Sequence, residues 1–300
     1  MRNPPADTEN DRAMAQLKIT EYTDPGCPFA WSAEPARRRL EWLYGDLIEW
    51  ELRMVGLADD PGVYSDRGFT PERASAGMRH LAELHHMPMD TGVRPRMAAT
   101  MPACRAVVAV RRHAPEREKA MLRALRVLHF SGHLLDEPET LALAAERAGI
   151  DPARLSAWTA EPETDELLAE DLAQSRDPSP QAVALAHKLA SAGDGYRYTC
   201  PSYEIARGDG GDRLAVPGFQ PVAAYEVAVA NLAPEASRRP DPDDVREVLE
   251  WAGEPLATAE VAAVCGIGLE EAREQLGRVA VEEHIGFDGI WHLNGAAAAA

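Results

Sequence analysis

The sequence is short of positive charge, short of cysteine, and has no apolar run long enough to cross a membrane. Each shortage excludes something. The 300 residues hold 31 Lys and Arg against 49 Asp and Glu, a net charge of −18. A polyanion of that strength is repelled by nucleic-acid phosphates and by anionic lipid, so neither partner is expected. No stretch approaches the ~20 apolar residues of a bilayer-crossing helix. Met1 to Gln16 is polar and acidic with no apolar segment, so it does not read as a secretory signal, and a cytoplasmic setting is expected. Four cysteines are too few for a disulfide framework over this length. In a reducing compartment they serve catalysis, ligation or burial. No internal repeat or low-complexity core is visible. What is present, 45% apolar and 27% charged, is ordinary globular material. It suffices for two domains, or for one domain with a large insertion.

Along the chain, residues 1–15 and the run Ala296–Ala300 read as disordered ends. Leu17–Thr23 is β-prone and runs into Asp24-Pro25-Gly26-Cys27-Pro28, which is turn chemistry. A helical pattern from Phe29 to Tyr44 follows. Ile48, Trp50, Leu52 and Met54 then alternate with polar residues, as a strand with one buried face does. Strand, turn, helix, strand predicts a βαβ unit with a parallel pair over 16–69. From 70 to 192 no strand is expected. Met121, Leu125 and Leu128 share one helical face, as do Leu141, Ala144, Ala145 and Ala148, and prolines 71, 115, 138, 152 and 162 mark helix starts. Over 193–233 the pattern predicts a hairpin, Tyr203–Ala206 and Arg213–Val216 around Gly208, Gly210 and Gly211, closed by a helix from Val222 to Leu232.

Pro234 to Pro242 has linker composition. Beyond it, 241–294 has stripes at Val245, Val248, Leu249 and Ala252, at Val261, Val264 and Cys265, and at Leu269, Ala272, Leu276 and Val279. A glycine-rich β end, His284 to Leu293, completes the outline of a winged helix-turn-helix. Thirteen acidic residues face only Arg246, Arg273 and Arg278 there, and the recognition-helix position Leu269–Leu276 carries three glutamates. That balance opposes phosphate binding. A contact with a partner protein, or self-association, is the better reading.

Cys27 is the residue that speaks of chemistry. It follows a strand, lies at a turn and opens a helix, where unpaired amide hydrogens favour a thiolate. A structural, buried cysteine is the plain alternative. Asp24-Pro-x-Cys27-Pro28-Phe29-x-Trp31, followed by a βαβ unit, resembles the active-site entry of DsbA-like disulfide oxidoreductases of the thioredoxin fold. That family carries a helical block between its two halves, as expected here over 70–192. Ser131-Gly-His-Leu-Leu-Asp-Glu-Pro-Glu-Thr-Leu and Ala148-Gly-Ile-Asp151 are similar to its second helical stretch. The likeness covers 16–233 and implies an α/β thioredoxin-like fold with a large all-helical insertion, the winged-helix-like module following. It also implies a cis-proline facing the cysteine, placed at Pro201, with Val216-Pro217 as the rival.

Two departures stand out. Ala30 occupies the position of the usual second cysteine, so a mixed disulfide at Cys27 lacks its ordinary release. Cys200 immediately precedes Pro201, and the implied fold brings it against Cys27 as a resolving or auxiliary thiol. Phe29 replaces a polar residue, leaving activation mainly to the helix terminus, with Asp24 opposing if charged. The resemblance implies a cytoplasmic thiol–disulfide oxidoreductase with Cys27 as nucleophile. Its groove would be lined by Asp24, Pro28, Phe29, Ala30 and Trp31 and would accept a disulfide-bearing protein or a small thiol adduct. No tightly bound cofactor is expected. Cys27-Pro28-Phe29 with no second cysteine is also similar to the Ser-Pro-Tyr-type turn of kappa-class glutathione transferases and hydroxychromene-carboxylate isomerases, which implies the alternative of a glutathione- or low-molecular-weight-thiol-dependent transferase or isomerase. A redox-inactive binding module is the third reading. Cys104 and Cys265 are expected in the core and His85-His86 at a solvated helix end. His129 and His133 have metal-ligand spacing, but Gly132 ends their helix and no acidic partner is evident.

Overall fold

The computed structural model describes residues 16–294, so the expected disordered ends lie outside the described residues. Leu17–Thr23 forms β1, Pro28–Ser32 α1, Glu34–Tyr44 α2 and Ile48–Met54 β2. A helical run follows: α3 Gly62–Asp66, α4 Pro71–His85, α5 Met101–His113, α6 Glu118–Phe130, α7 Pro138–Arg147, α8 Pro152–Thr159, α9 Pro162–Ser175 and α10 Pro180–Val183. Next come β3 Ala190–Ala192, β4 Gly195–Arg197, β5 Ser202–Arg207, β6 Arg213–Val216 and α11 Val222–Leu232. The chain ends with α12 Val245–Ala252, β7 Leu256–Ala257, α13 Thr258–Cys265, α14 Leu269–Val279, β8 Ala280–Ile285 and β9 Asp288–Leu293.

The main sheet has the order β2-β1-β5-β6. β1 pairs in parallel with β2, Ile19 opposite Trp50, and antiparallel with β5, where Ile19 faces Ile205. This is the thioredoxin-like arrangement expected, with the helical insertion between its two halves. Leu52 and Met54 of β2 reach into the insertion's own core, among Val107, Leu125, Leu128, Leu135 and Leu168. Prolines 71, 138, 152 and 162 each open a helix, where the missing amide hydrogen is one the helix could not use. Pro115 instead opens a single 3-10 turn ahead of α6.

Two expectations need correction. The helix over Phe29–Tyr44 is two helices, broken at Ala33. Pro35, at the second position of α2, has no amide hydrogen, and in a continuous helix its ring would meet the carbonyl of Trp31. The stretch expected to hold no strand ends in one, β3, paired with β4 across Gly193-Asp194. Gly193 takes φ +56, the left-handed geometry of a tight hairpin. Both strands are largely exposed, so they lack the alternation that marks a half-buried strand.

The C-terminal elements run helix, strand, helix, helix, hairpin, with a small sheet in the order β7-β9-β8. A small C-terminal module with its own sheet is thus present. Their apolar residues, Val248, Leu249, Val261, Val264, Leu276 and Trp291, share one core with Leu40, Trp42 and Leu43 of α2. The preceding linker is pinned as well: the Trp42 indole N–H donates to the Pro240 carbonyl at 2.9 Å, and the Arg239 guanidinium lies 3.5 Å over the Trp42 ring. Glu260 of α13 is fully buried and accepts two bonds from Arg123 of α6, at 2.9 and 2.7 Å. Arg38 of α2 meets Glu254 at 2.5 Å.

Candidate active site

The turn between β1 and α1 closes through a bond from the Cys27 amide to the Asp24 carbonyl, 3.2 Å. Cys27 is the N-cap of α1, with φ −82° and ψ 115°, and Pro28 takes the first helical position. Across from it, the Cys200–Pro201 peptide is cis at the entry to β5. The loop carrying it is tied down at both sides. Thr199 Oγ1 donates to the Lys188 carbonyl at 2.7 Å, and Ser202 Oγ donates to the Thr199 carbonyl at 2.6 Å. The Cys27 thiol lies 3.3 Å from the Cys200 carbonyl oxygen, positioned to donate to it. The two side chains pack in one buried cluster with Ala30, Val55 and Tyr198. Only 5% of Cys27 and 7% of Cys200 is exposed. Tyr22 and Tyr198, stacked at 3.9 Å, back the pair.

The pair is electrically unequal. The Cys200 side chain does most to hold the Cys27 thiol below the ordinary thiol range. Burial opposes that, the Ala30 and Phe29 amides at the start of α1 add to it, and the Asp24 carboxyl opposes it again. Cys200 is pushed well up, by burial and by the sulfur it serves. Cys27 is therefore the more acidic of the two thiols and Cys200 the less. The helix terminus, expected to be the main activator, ranks behind Cys200.

A known family matches this arrangement. The DSBA-like thioredoxin domain matches residues 18–178, more than half the chain. The chain belongs to this DSBA-like family. Among solved structures, a "putative protein disulfide isomerase" from Nitrosomonas europaea is similar at 17% identity and a TM-score of 0.52, covering 73% of this chain and 96% of its own. A probable DsbA oxidoreductase from Streptomyces coelicolor is similar at 17% identity and a TM-score of 0.52, covering 76% of this chain and 94% of its own. These likenesses support the fold. No curated protein matches the chain by sequence.

Within this DSBA-like domain the residues expected to line a groove divide. Phe29 is 44% exposed, with the Phe219 ring 6.3 Å away, and Phe219 in turn meets His85 at 4.5 Å. Pro28 is half-buried. Asp24, Ala30 and Trp31, at 0%, 3% and 0% exposure, line no open groove. Trp31 is a core residue, its indole N–H donating to the Pro88 carbonyl at 2.9 Å and its ring stacked on Phe130. Ala30 faces inward beside Tyr22 and Val55.

Asp24 is a buried junction. Its carboxyl accepts from the amides of Gly26 and Leu57 at 2.8 and 2.9 Å, from Thr100 Oγ1 at 2.9 Å and from the Cys104 thiol at 3.5 Å. Burial raises its pKa and those bonds pull it back. Cys104 is fully buried, as expected, with its thiol pushed well up by burial and by Asp24. Cys265 is only half-buried, its thiol pushed up to about 11 by burial first.

His85 is not simply solvated. It rests on Phe219, and burial lowers its pKa. His129 is buried while His133 is exposed, and burial and Arg94 lower the His129 pKa. The described residues contain no cluster of three metal-ligating side chains. Tyr64 of α3 was invisible in the sequence, yet it lies within electrostatic reach of Asp24, Cys27 and Cys104. Neither Tyr64 nor Phe219 carries a local motif, because each reaches the site only through the packing of a distant loop.

Proposed function

We propose that this chain is a thiol–disulfide oxidoreductase in which Cys27 is the nucleophile and Cys200 the resolving thiol. The observation that carries the reading is the meeting of Cys27 and Cys200 in one buried cluster at the Cys200–Pro201 peptide, the Cys27 thiol 3.3 Å from the Cys200 carbonyl oxygen, with Cys27 the more acidic. The Cys27 thiolate attacks one sulfur of a substrate disulfide. The substrate S–S bond breaks, its second sulfur leaves as a thiolate and takes up a proton, and a mixed disulfide remains. Cys200 then gives up its proton and attacks the Cys27 sulfur, releasing the second substrate thiol. The dithiol is oxidised to a Cys27–Cys200 disulfide as the substrate is reduced by two electrons. Pro201 shapes the wall opposite Cys27, and Phe29, Phe219 and His85 offer an apolar rim. The cytoplasmic setting belongs to the same proposal, since a reductase must be returned to its dithiol by a reducing pool. The exposed acids Glu270, Glu271 and Glu274 on α14 are read as a protein-contact face.

The test is mass spectrometry of reduced and mildly oxidised protein. Oxidation should link Cys27 to Cys200, Cys27→Ser should abolish exchange with folding intact, and Cys200→Ser should trap the mixed disulfide. An inert Cys27 with no such link overturns the reading and leaves a binding module. A thiol cofactor that raises the melting temperature in proportion to its concentration would instead favour the transferase.

A further inference from the structure

The helix that Cys27 opens is a single turn. The Trp31 amide donates to the Cys27 carbonyl at 3.0 Å, and the helix breaks at Ala33 before α2 begins. One turn fixes several dihedral angles for very few hydrogen bonds, so it does not hold itself. Its place is set by the large side chain it buries, and that is Trp31, at 0% exposure. Whatever forms the socket of Trp31 therefore also places the Cys27 backbone, and with it the Phe29 and Ala30 amides that lower the Cys27 pKa.

Three sides of that socket depend on the C-terminal module. On the ring face, the Arg123 guanidinium lies 4.7 Å from the indole centre. It is held there by Glu260 of α13, at 2.9 and 2.7 Å, and by the Pro255 carbonyl at 3.1 Å. The second side is an apolar wall, where Ala257, Ala259, Ile285 and Ile290 share one buried cluster with Trp31. The third is the indole N–H, whose acceptor is the Pro88 carbonyl at 2.9 Å, on the segment that follows α4. The β8–β9 turn presses on that segment one residue further on. Gly286 takes φ +65°, and a Cβ there would overlap the Met89 carbonyl oxygen, so the turn closes on it only as glycine. Phe130 of α6, stacked on the ring at 5.5 Å, completes the socket. The module's other core, Leu276 and Trp291 with Leu40 and Trp42 of α2, is a separate cluster.

We propose that the C-terminal module is part of the construction of the active site, with Glu260 and the β8–β9 turn at Gly286 acting as positioning residues for Cys27 through Trp31. This rests on the thiol-exchange reading above for the role of Cys27. Neither positioning residue touches the reacting sulfurs. They fix the turn of backbone that carries the nucleophile, so a change in how the module sits alters the acidity of Cys27. Cys200 and Asp24, which also act on that thiol, lie outside the socket cluster.

The experiment is peptide-resolved alkylation of the reduced full chain against pH. Cys27 reports the site, and Cys265, half-buried on α13, reports whether the module keeps its seat. Glu260→Gln weakens the hold on Arg123, Gly286→Ala lifts the turn off Met89, and Ile290→Val is the mild variant that trims one methyl from the wall. Leu276→Ala is the control, loosening the module through the α2 core with the socket side chains in place. The Cys27 midpoint should rise in the three socket variants. In Glu260→Gln and Gly286→Ala the rise should be about half a pH unit, or about threefold less thiolate below both midpoints. Reduction of hydroxyethyl disulfide at such a pH should slow by only about twofold, since the less acidic thiol gives the better nucleophile. Leu276→Ala should keep the native midpoint even where Cys265 alkylates faster. A midpoint unmoved in the socket variants, or moved as far by Leu276→Ala, overturns the positioning role and leaves the module a stabilising one. A native chain that reduces no disulfide overturns the thiol-exchange reading instead, and the alkylation midpoints still decide the positioning.

Discussion

The Cys27 sulfur draws its acidity from the Cys200 side chain and two α1 amides, and loses part of it to burial and to Asp24. A hydrogen bond to the charged form favours that form, and here the largest such bond comes from a side chain that can be removed. Alkylation of Cys27 against pH should therefore show a midpoint below the ordinary thiol value of ~8.5. In Cys200→Ala that midpoint should move upward, because the strongest donor to the thiolate is gone. An unmoved midpoint would show that the helix terminus alone sets the acidity. Since the folded value is the depressed one, ionised Cys27 adds stability above the ordinary thiol value, and that contribution fades as pH falls through the folded one. The Cys27 part of this site was legible in sequence, because a cysteine between strand and helix is a local pattern. The buried placement of Asp24 and Trp31 was not, because nothing within a few residues tells whether a turn faces solvent or another helix.

At the scale of elements, the insertion is fastened to the sheet by one acid that no pattern announced. Asp171 of α9 is fully buried. Its carboxylate accepts from Arg53 Nη1, from Arg111 Nη1 and Nη2 and from the Met54 amide, each at 2.9 Å. It joins β2, α5 and α9 at one point. Asp171→Ala leaves Arg53 with Glu51 and Arg111 with Glu118 but strips both of their buried partner and the Met54 amide of its acceptor, and should lower unfolding stability by about 3 kcal/mol. Urea denaturation checks it, and a loss below about 1 kcal/mol would mean that water substitutes for the carboxylate. The helices themselves were readable, since their prolines and apolar stripes are short-range signals. The break at Pro35 and the β3–β4 hairpin were missed, the first for want of weight on one proline, the second because exposed strands leave no periodic trace.

For the whole molecule, the C-terminal module is built into the thioredoxin-like core by apolar contact and by buried charge. Glu260 pairs with Arg123, approaches Arg38 at 3.4 Å and accepts from the Ala257 amide at 2.7 Å. The chain of pairs continues through Arg38 to Glu34, and Arg126 then joins Glu34 to Thr23, next to Asp24 of the active-site turn. Burial pushes Glu34 up, but Arg126, Arg37, Arg38 and Arg123 overcome it and hold it down to about 2. Glu260→Gln should cost about 3 kcal/mol by leaving Arg123 with only Glu34, 3.9 Å away. It should also hasten proteolysis in the segment from 234 to 242. A variant cut no faster than the native protein would show that apolar packing alone seats the module.

By itself the sequence determined the order of most strands and helices, the thioredoxin-like class, the acidic C-terminal unit and the placing of Cys27 between strand and helix. All of these follow from interactions between residues a turn or a pleat apart. Only the tertiary structure decided which side chains from distant segments meet. It brought Cys200 to Cys27 and drew Asp24 inward to Thr100 and Cys104. Contacts of that kind are set by how whole elements pack to fill a core, and a pattern read along the chain has no access to that packing.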